Sequence, residues 1–188
     1  MPLYALFIYF KVSPKYYLRQ NIQYLELYVG IVSIVVPLLL LLVLNHSKRI
    51  ESYRLKNPQE RMIFGAMMIG VYYVIFDKIK VHQQFVELFP FFLGVLLTIL
   101  VLSLFNFWQQ KPSIHAAGIS GVLAFFLIWS FYTQINILIV ISALILIGSL
   151  IIAARLYLKQ HSVSEILWGT SIGILMQFAG FLYSYWVY

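Results

Sequence analysis

Long apolar stretches, separated by short polar segments, make up most of the chain. A helix that crosses a bilayer needs about 20 mostly apolar residues, and the chain holds six stretches near this length. They are Leu25 to Asn45, Met62 to Phe76, Val86 to Trp108, Ala116 to Tyr132, Ile135 to Ala154 and Glu165 to Val187. The pattern predicts an all-α, polytopic membrane protein in which residues 25–188 form a bundle of six transmembrane helices. Gly169 and Gly173 indicate close helix packing in the last stretch.

The first 24 residues follow a different pattern. The apolar stretch from Pro2 to Phe10 is too short to cross a bilayer and no basic residue precedes it, so it fits neither a transmembrane helix nor a signal peptide. Tyrosines in this segment alternate with Lys11, Lys15 and Arg19, and both kinds of side chain favour the boundary between lipid and water. We therefore expect residues 1–24 to form a short interfacial segment.

Composition excludes several classes of protein. The sequence is 62% hydrophobic and 10% charged, whereas soluble domains carry about 25% charged residues. The net charge of +7 does not indicate nucleic-acid binding, because the 13 Lys and Arg lie in short loops beside apolar stretches. Lipid headgroups or an anionic substrate are the partners that this charge favours. The sequence has no cysteine, which excludes disulfides and thiolate chemistry.

The order of the six helices places the polar loops. Each crossing reverses the chain, so the loops before the second, fourth and sixth helices must lie on one side. Those three helices begin at this side, and the N–H groups and positive dipole end of a helix start bind phosphate readily. Three local patterns mark such starts: Asn57-Pro58-Gln59-Glu60, Pro112-Ser113, and the capping box Ser162-Val163-Ser164-Glu165.

The loop before the sixth helix holds the most informative set, which is Arg155, His161 and Glu165. Residues four apart share a helix face, so Glu165 can orient the ring of His161. Arg155 can join them only if the chain turns between the fifth and sixth helices. A purely structural interpretation also fits, in which Glu165 caps the helix and Arg155 reaches toward headgroups.

Two further loops hold candidates for phosphate binding. Lys111, Ser113 and His115 lie at the start of the fourth helix, where main-chain N–H groups can cradle an anion and a histidine can donate a proton. Arg54 and Arg61 precede the body of the second helix, and the planar fork of arginine matches phosphate oxygens. The structural alternatives are an ordinary helix start and a basic loop attracted to anionic lipid.

Together these residues resemble the signatures of the type 2 phosphatidic acid phosphatase (PAP2) superfamily of membrane phosphatases. The resemblance covers about residues 25–180, and the order and placement of the motifs match that family's six-helix core. The family signatures K-x6-RP, PSGH and SR-x5-H-x3-D correspond here to Arg54-x6-Arg61-Met62, Pro112-Ser113-Ile114-His115 and Ala154-Arg155-x5-His161-x3-Glu165. Both histidines are kept, and five other positions differ.

The resemblance implies a membrane lipid phosphatase that needs no metal or cofactor. His161 would attack phosphorus to form a phosphohistidine, Glu165 would hold its ring in the nucleophilic tautomer, and His115 would protonate the leaving oxygen. The side chains that would hold the phosphate oxygens are Arg155, Arg61, Arg54, Ser113 and Lys111. Phosphatidic acid, phosphatidylglycerol phosphate, polyprenyl phosphates or pyrophosphates, and phosphorylated lipid A are the substrates that fit this chemistry.

Two other functions stay open. The five departures fit a catalytically silent relative that binds lipid phosphates or scaffolds other membrane proteins. His46, His115 and His161 could instead serve a b-type haem or a quinone, although haem ligands usually lie inside helices and these lie in loops or at helix ends.

The distribution of cations supports two membrane orientations. Eight Lys or Arg lie on the side of the candidate site and five on the other, which points the site to the cytoplasm. If Arg54, Arg61, Lys111 and Arg155 are set aside as site residues, four Lys or Arg remain on the side of the site and five lie on the other side. With the resemblance, we expect a bacterial plasma-membrane protein whose site faces the periplasm or the exterior.

Overall fold

The computed structural model describes residues 1–50, 57–108 and 110–187. Helices account for most of these residues, and no β-strand occurs among them. The α-helices are α1 (Pro2–Val12), α2 (Arg19–Gly30), α3 (Val36–His46), α4 (Pro58–Val81), α5 (Phe89–Phe105), α6 (Ile114–Thr133), α7 (Leu138–Tyr157) and α8 (Val163–Val187).

Six helical segments of the described chain are long and apolar enough to cross a membrane, which makes the protein an integral membrane protein. A π-helical turn, Ile31–Val35, joins α2 and α3 into the first segment, and a 3₁₀ turn, Gln83–Leu88, leads into α5. The predicted bundle of six transmembrane helices is thus confirmed. The main differences are at the boundaries: α2 begins at Arg19 rather than Leu25, and α7 begins three residues after Ile135.

The centre of the bundle consists of α5, α6 and α8. Helix α8 packs against both α5 and α6, and α5 packs against α4. Helix α7 packs on the outside of α6, buries Leu144 and Gly148, and exposes apolar side chains such as Ile139 and Leu150. Exposed apolar side chains on an outer helix suit contact with lipid. The starts of α6 and α8 therefore belong to central helices, whereas α4 packs on α5 at the outside.

The contact between α6 and α8 depends on glycine. A Cβ atom at Gly169 would lie 3.0 Å from the backbone N of Ser113 and nearer still to its carbonyl oxygen. At Gly173 a Cβ would overlap the carbonyl of Ala117 in the same way. The predicted close packing at these two glycines is confirmed, because only a hydrogen in place of a side chain lets the backbones approach this closely.

Helix α1 lies lengthwise along α6. Met1 is close to Gly118 near the start of α6, whereas Tyr9 contacts Phe125 and Trp129 farther along it. Tyr9 is fully buried and belongs to the main hydrophobic core. The expected interfacial position of residues 1–24 stays a prediction, but the structure shows that their first helix packs along the bundle and contributes to its core.

Candidate functional site

The starts of α4, α6 and α8 carry the caps that the sequence predicts. The side chain of Asn57 accepts a hydrogen bond from the backbone N–H of Gln59, with Pro58 in the first turn of α4. The Ser113 hydroxyl oxygen accepts one from the N–H of Ala116 at the start of α6. These side chains satisfy backbone donors that have no partner inside the helix. The caps fix where each helix begins, and with it the position of the neighbouring motif residues.

The start of α8 brings His161 and Glu165 into contact. Nδ1 of His161 lies 3.0 Å from Oε2 of Glu165. The same carboxylate oxygen accepts a 3.0 Å hydrogen bond from the N–H of Ser162, whose hydroxyl accepts one from the N–H of Glu165. The predicted capping box is confirmed, and so is the predicted contact between Glu165 and the imidazole. Glu165 therefore caps the helix and orients the ring at the same time.

A tight turn between α7 and α8 returns the chain toward Arg155. Lys159 has a φ of 49°, and the N–H of Gln160 donates a 3.1 Å hydrogen bond to the carbonyl of Arg155. One residue in the left-handed region after the last helical turn is the usual way to end a helix in this geometry. The side chain of Arg155 donates from Nη1 to Oε1 of Gln160. The structure therefore contains the turn between α7 and α8 that Arg155 needs in order to approach His161 and Glu165.

Ser113 joins the second motif to the third. Its backbone N–H donates a 2.9 Å hydrogen bond to the carbonyl of Glu165, and the residue is fully buried against Gly169. Since this N–H is bound within the protein, it is not directed at a ligand. The hydrogen bond instead holds the start of α6 against the start of α8.

His115 lies in the first turn of α6 and its side chain is exposed. Arg155 and His161 both lie near the His115 ring. The structure thus brings together the two motifs that carry the histidines, although they are 46 positions apart in the sequence. An exposed histidine near a largely buried one, whose side chain is 12% exposed, can exchange protons with solvent and with a bound ligand.

Arg61 lies in the first turn of α4, and its Nε donates a 2.9 Å hydrogen bond to Oδ1 of Asn106. This contact ties the start of α4 to the end of α5 at the same end of the bundle. Lys111 is exposed and makes no hydrogen bond or ion pair within the part of the chain that the structure describes. Arg54 lies outside the described residues.

Two polar residues of the site did not stand out in the sequence. Asn106 follows directly after the apolar stretch of α5, and Gln160 lies in the spacer between Arg155 and His161. Each accepts a hydrogen bond from an arginine of the site. A polar residue at the end of a helix or in a short loop is ordinary, so only the folded arrangement identifies these two.

Comparison with known proteins agrees with the resemblance. A family model of the PAP2 superfamily, whose members are generally phosphatases acting on phosphate esters, matches residues 62–188. The match covers Lys111 to His115 and Arg155 to Glu165, and it begins directly after Arg61. No curated protein and no solved structure matches the chain. Since the family model covers more than half of the sequence, the chain belongs to the PAP2 superfamily.

Proposed function

We propose that this protein is a membrane lipid phosphatase that removes phosphate from a lipid phosphate monoester or pyrophosphate through a phosphohistidine on His161. The observation that carries the proposal is the 3.0 Å contact between Nδ1 of His161 and the carboxylate of Glu165. A carboxylate in this position accepts a hydrogen bond from Nδ1–H, which keeps the ring proton on Nδ1 and leaves a lone pair on Nε2. It also stabilises the positive charge that the ring gains when Nε2 forms a bond.

In the first step, Nε2 of His161 attacks phosphorus, and the bond between phosphorus and the lipid oxygen breaks. His115 gives its proton to that oxygen, so the lipid leaves as an alcohol, or as a lower phosphate if the substrate is a pyrophosphate. In the second step, His115 takes a proton from water, whose oxygen attacks phosphorus while the bond to Nε2 breaks. Phosphate leaves, and both histidines return to their initial state.

Charge would be supplied by the basic residues at the same end of the bundle. Arg155 stands near His115, and Arg61 is held at the start of α4 by Asn106. Phosphoryl transfer depends mainly on positioning and on the stabilisation of charge on the nonbridging oxygens. Arg155 and Arg61 are the ligands we assign to those oxygens, with Lys111 and Arg54 as further cations. Ser113 would act chiefly by anchoring the start of α6.

The experiment that tests this function is phosphate release from a panel of lipid phosphates in detergent. Losing a proton-transfer group costs about 10²–10⁴ in rate. We therefore expect His115→Ala to release phosphate more slowly by a factor in that range. His161→Ala should lose phosphate release altogether while it keeps its helical circular dichroism. His82→Ala is the matched control, because His82 lies at the opposite end of the bundle, after α4. Retained turnover in His161→Ala contradicts the proposal, and binding of a lipid phosphate without turnover in the wild type favours a catalytically silent protein.

We further propose that the site faces the periplasm or the exterior of a bacterial plasma membrane. Two observations support this orientation. Without the four site residues, four Lys or Arg remain on the side of the site and five lie on the other side. The chain also belongs to the PAP2 superfamily. The sequence has no cysteine, so a single introduced thiol reports its own accessibility. In intact cells, a membrane-impermeant maleimide should label Gln110→Cys at the site end and not Gln20→Cys at the other. The reverse pattern would place the site in the cytoplasm.

A further inference from the structure

The turn between α7 and α8 holds Gln160 against Arg155. The N–H of Lys159 donates to the carbonyl of Leu156 at 3.0 Å, and the N–H of Gln160 donates to the carbonyl of Arg155 at 3.1 Å. With Lys159 in the left-handed region, the chain reverses within two residues of the helix end. The backbone of Gln160 is therefore fixed beside Arg155, immediately before His161.

The side chain of Gln160 adds a second link to the same arginine. Its amide oxygen accepts a hydrogen bond from Nη1 of Arg155. A guanidinium carries five N–H donors, so one bond to Gln160 leaves most of them for another acceptor. Arginine also has a long, flexible stem, and a fixed acceptor reduces the number of positions that the guanidinium samples. In the held position, Arg155 lies near His115.

We propose that Gln160 is a positioning residue that holds the guanidinium of Arg155 where the phosphate group of the substrate binds. The inference rests on the proposed function, in which Arg155 holds nonbridging phosphate oxygens. A neutral amide suits this task because it directs the guanidinium without cancelling its charge. A carboxylate at the same place would bind Arg155 more strongly and compete with phosphate.

A merely structural role for Gln160 predicts a different result. The backbone hydrogen bond that ends α7 needs only an N–H, so almost any residue at position 160 can make it. The variant Gln160→Met keeps this bond and nearly the same side-chain size, but it removes the acceptor for Arg155. If Gln160 serves only the turn, Gln160→Met should behave as the wild type does.

The decisive experiment is a double-mutant cycle with Gln160→Met, Arg155→Lys and the double variant. Two quantities are measured for each protein in detergent: kcat/KM for phosphate release from a lipid phosphate, and the affinity for orthovanadate from thermal stabilisation. Gln160→Met should lower both about tenfold, because residues in one hydrogen-bond network are coupled. In the Arg155→Lys background the same change should alter them less than about twofold. Gln20→Met, on the first turn of α2 and exposed, is the control for replacing a glutamine.

Equal losses in both backgrounds, or no loss in either, would overturn the positioning role. Should Gln160→Met fail to fold, Gln160→Glu decides: we expect weaker orthovanadate binding, and unchanged affinity contradicts the inference. If the wild type binds orthovanadate but releases no phosphate, the proposed function fails while the orthovanadate cycle still tests Gln160. If the wild type neither binds orthovanadate nor releases phosphate, both proposals are rejected.

Discussion

The backbone N–H of Ser113 donates a 2.9 Å hydrogen bond to the carbonyl oxygen of Glu165. This bond joins the start of α6 to the first turn of α8, and hence the segment that carries His115 to the segment that carries His161. Because it is made by main-chain atoms, it constrains the two helices and not merely two side chains. The distance between the proposed acid and the proposed nucleophile therefore depends on how closely α6 and α8 pack.

Gly169→Ala should disturb this packing. The new Cβ would meet backbone atoms of Ser113, which cannot rotate away as a side chain would. Overpacking of this kind costs about 1–3 kcal/mol, and we expect phosphate release to fall with it as the two histidines separate. Thermal unfolding in detergent and the phosphate assay measure the two effects.

Gly70→Ala is the matched control for that substitution. Gly70 lies in α4, and no atom outside its own helix neighbourhood lies within 4 Å of a Cβ built there. Alanine favours the helix over glycine by up to about 1 kcal/mol, so Gly70→Ala should be neutral or stabilising. Similar losses in both variants would mean that the contact between Gly169 and Ser113 is not what fixes the helices.

Glu165→Gln separates the two roles of Glu165. A glutamine can still accept from the N–H of Ser162, so the capping box and the fold should persist. The negative charge beside His161 is lost, and we expect phosphate release to fall about 10²-fold with little change in melting temperature. Ser162→Ala should do the opposite: it removes the cap hydroxyl, costs about 1 kcal/mol of stability, and affects the rate far less. Normal activity in Glu165→Gln would show that Glu165 only caps the helix and that its charge is not needed beside His161.

Lys159→Gly should stabilise the protein. A residue with a side chain in the left-handed region costs about 1–2 kcal/mol, and Lys159 has a φ of 49°. Glycine avoids that cost but loses about 0.5–1 kcal/mol more through chain entropy on folding, so the net gain should be about 0.5 kcal/mol. Lys159→Ala keeps the Cβ and should bring no gain. An equal rise in melting temperature for both variants would contradict this explanation.

Tyr9→Phe should weaken the attachment of α1 to the bundle. The hydroxyl of Tyr9 donates a 2.6 Å hydrogen bond to Oε2 of Glu87, and Oε1 of the same carboxylate pairs with Lys15 at 2.6 Å. Burial raises the pKa of Tyr9, so its hydroxyl keeps the proton that it donates. A hydrogen bond to a charged group contributes about 1.5–3 kcal/mol, and the melting temperature should fall accordingly.

The control for that prediction is Tyr4→Phe, on the same helix. Tyr4 is 72% exposed, and surface substitutions usually change stability by less than about 0.5 kcal/mol. If Tyr4→Phe and Tyr9→Phe lower the melting temperature equally, the hydrogen bond to Glu87 does not hold α1 in place.

The sequence determined those features that depend on neighbouring residues. Apolar length predicted six crossings, because a bilayer requires about 20 apolar residues for each, and counting the crossings assigned three polar loops to one side. Asn57, Ser113 and Ser162 predicted helix starts, since a cap acts within three residues of itself. The spacing of His161 and Glu165 predicted their contact for the same reason.

Tertiary structure decided everything that joins distant segments. The sequence predicted an interfacial segment for residues 1–24. It did not indicate that Tyr9 is buried beside Glu87, which lies 78 positions away in the chain. Asn106 and Gln160 are unremarkable as polar residues, and their contacts with Arg61 and Arg155 follow from helix packing and from a left-handed turn. Gly169 predicted a close helix contact, but the sequence did not indicate which residue lies opposite, and the structure shows that it is Ser113. A pattern along the chain reports which faces are apolar and where helices start, whereas the partner across an interface depends on how all the helices pack at once.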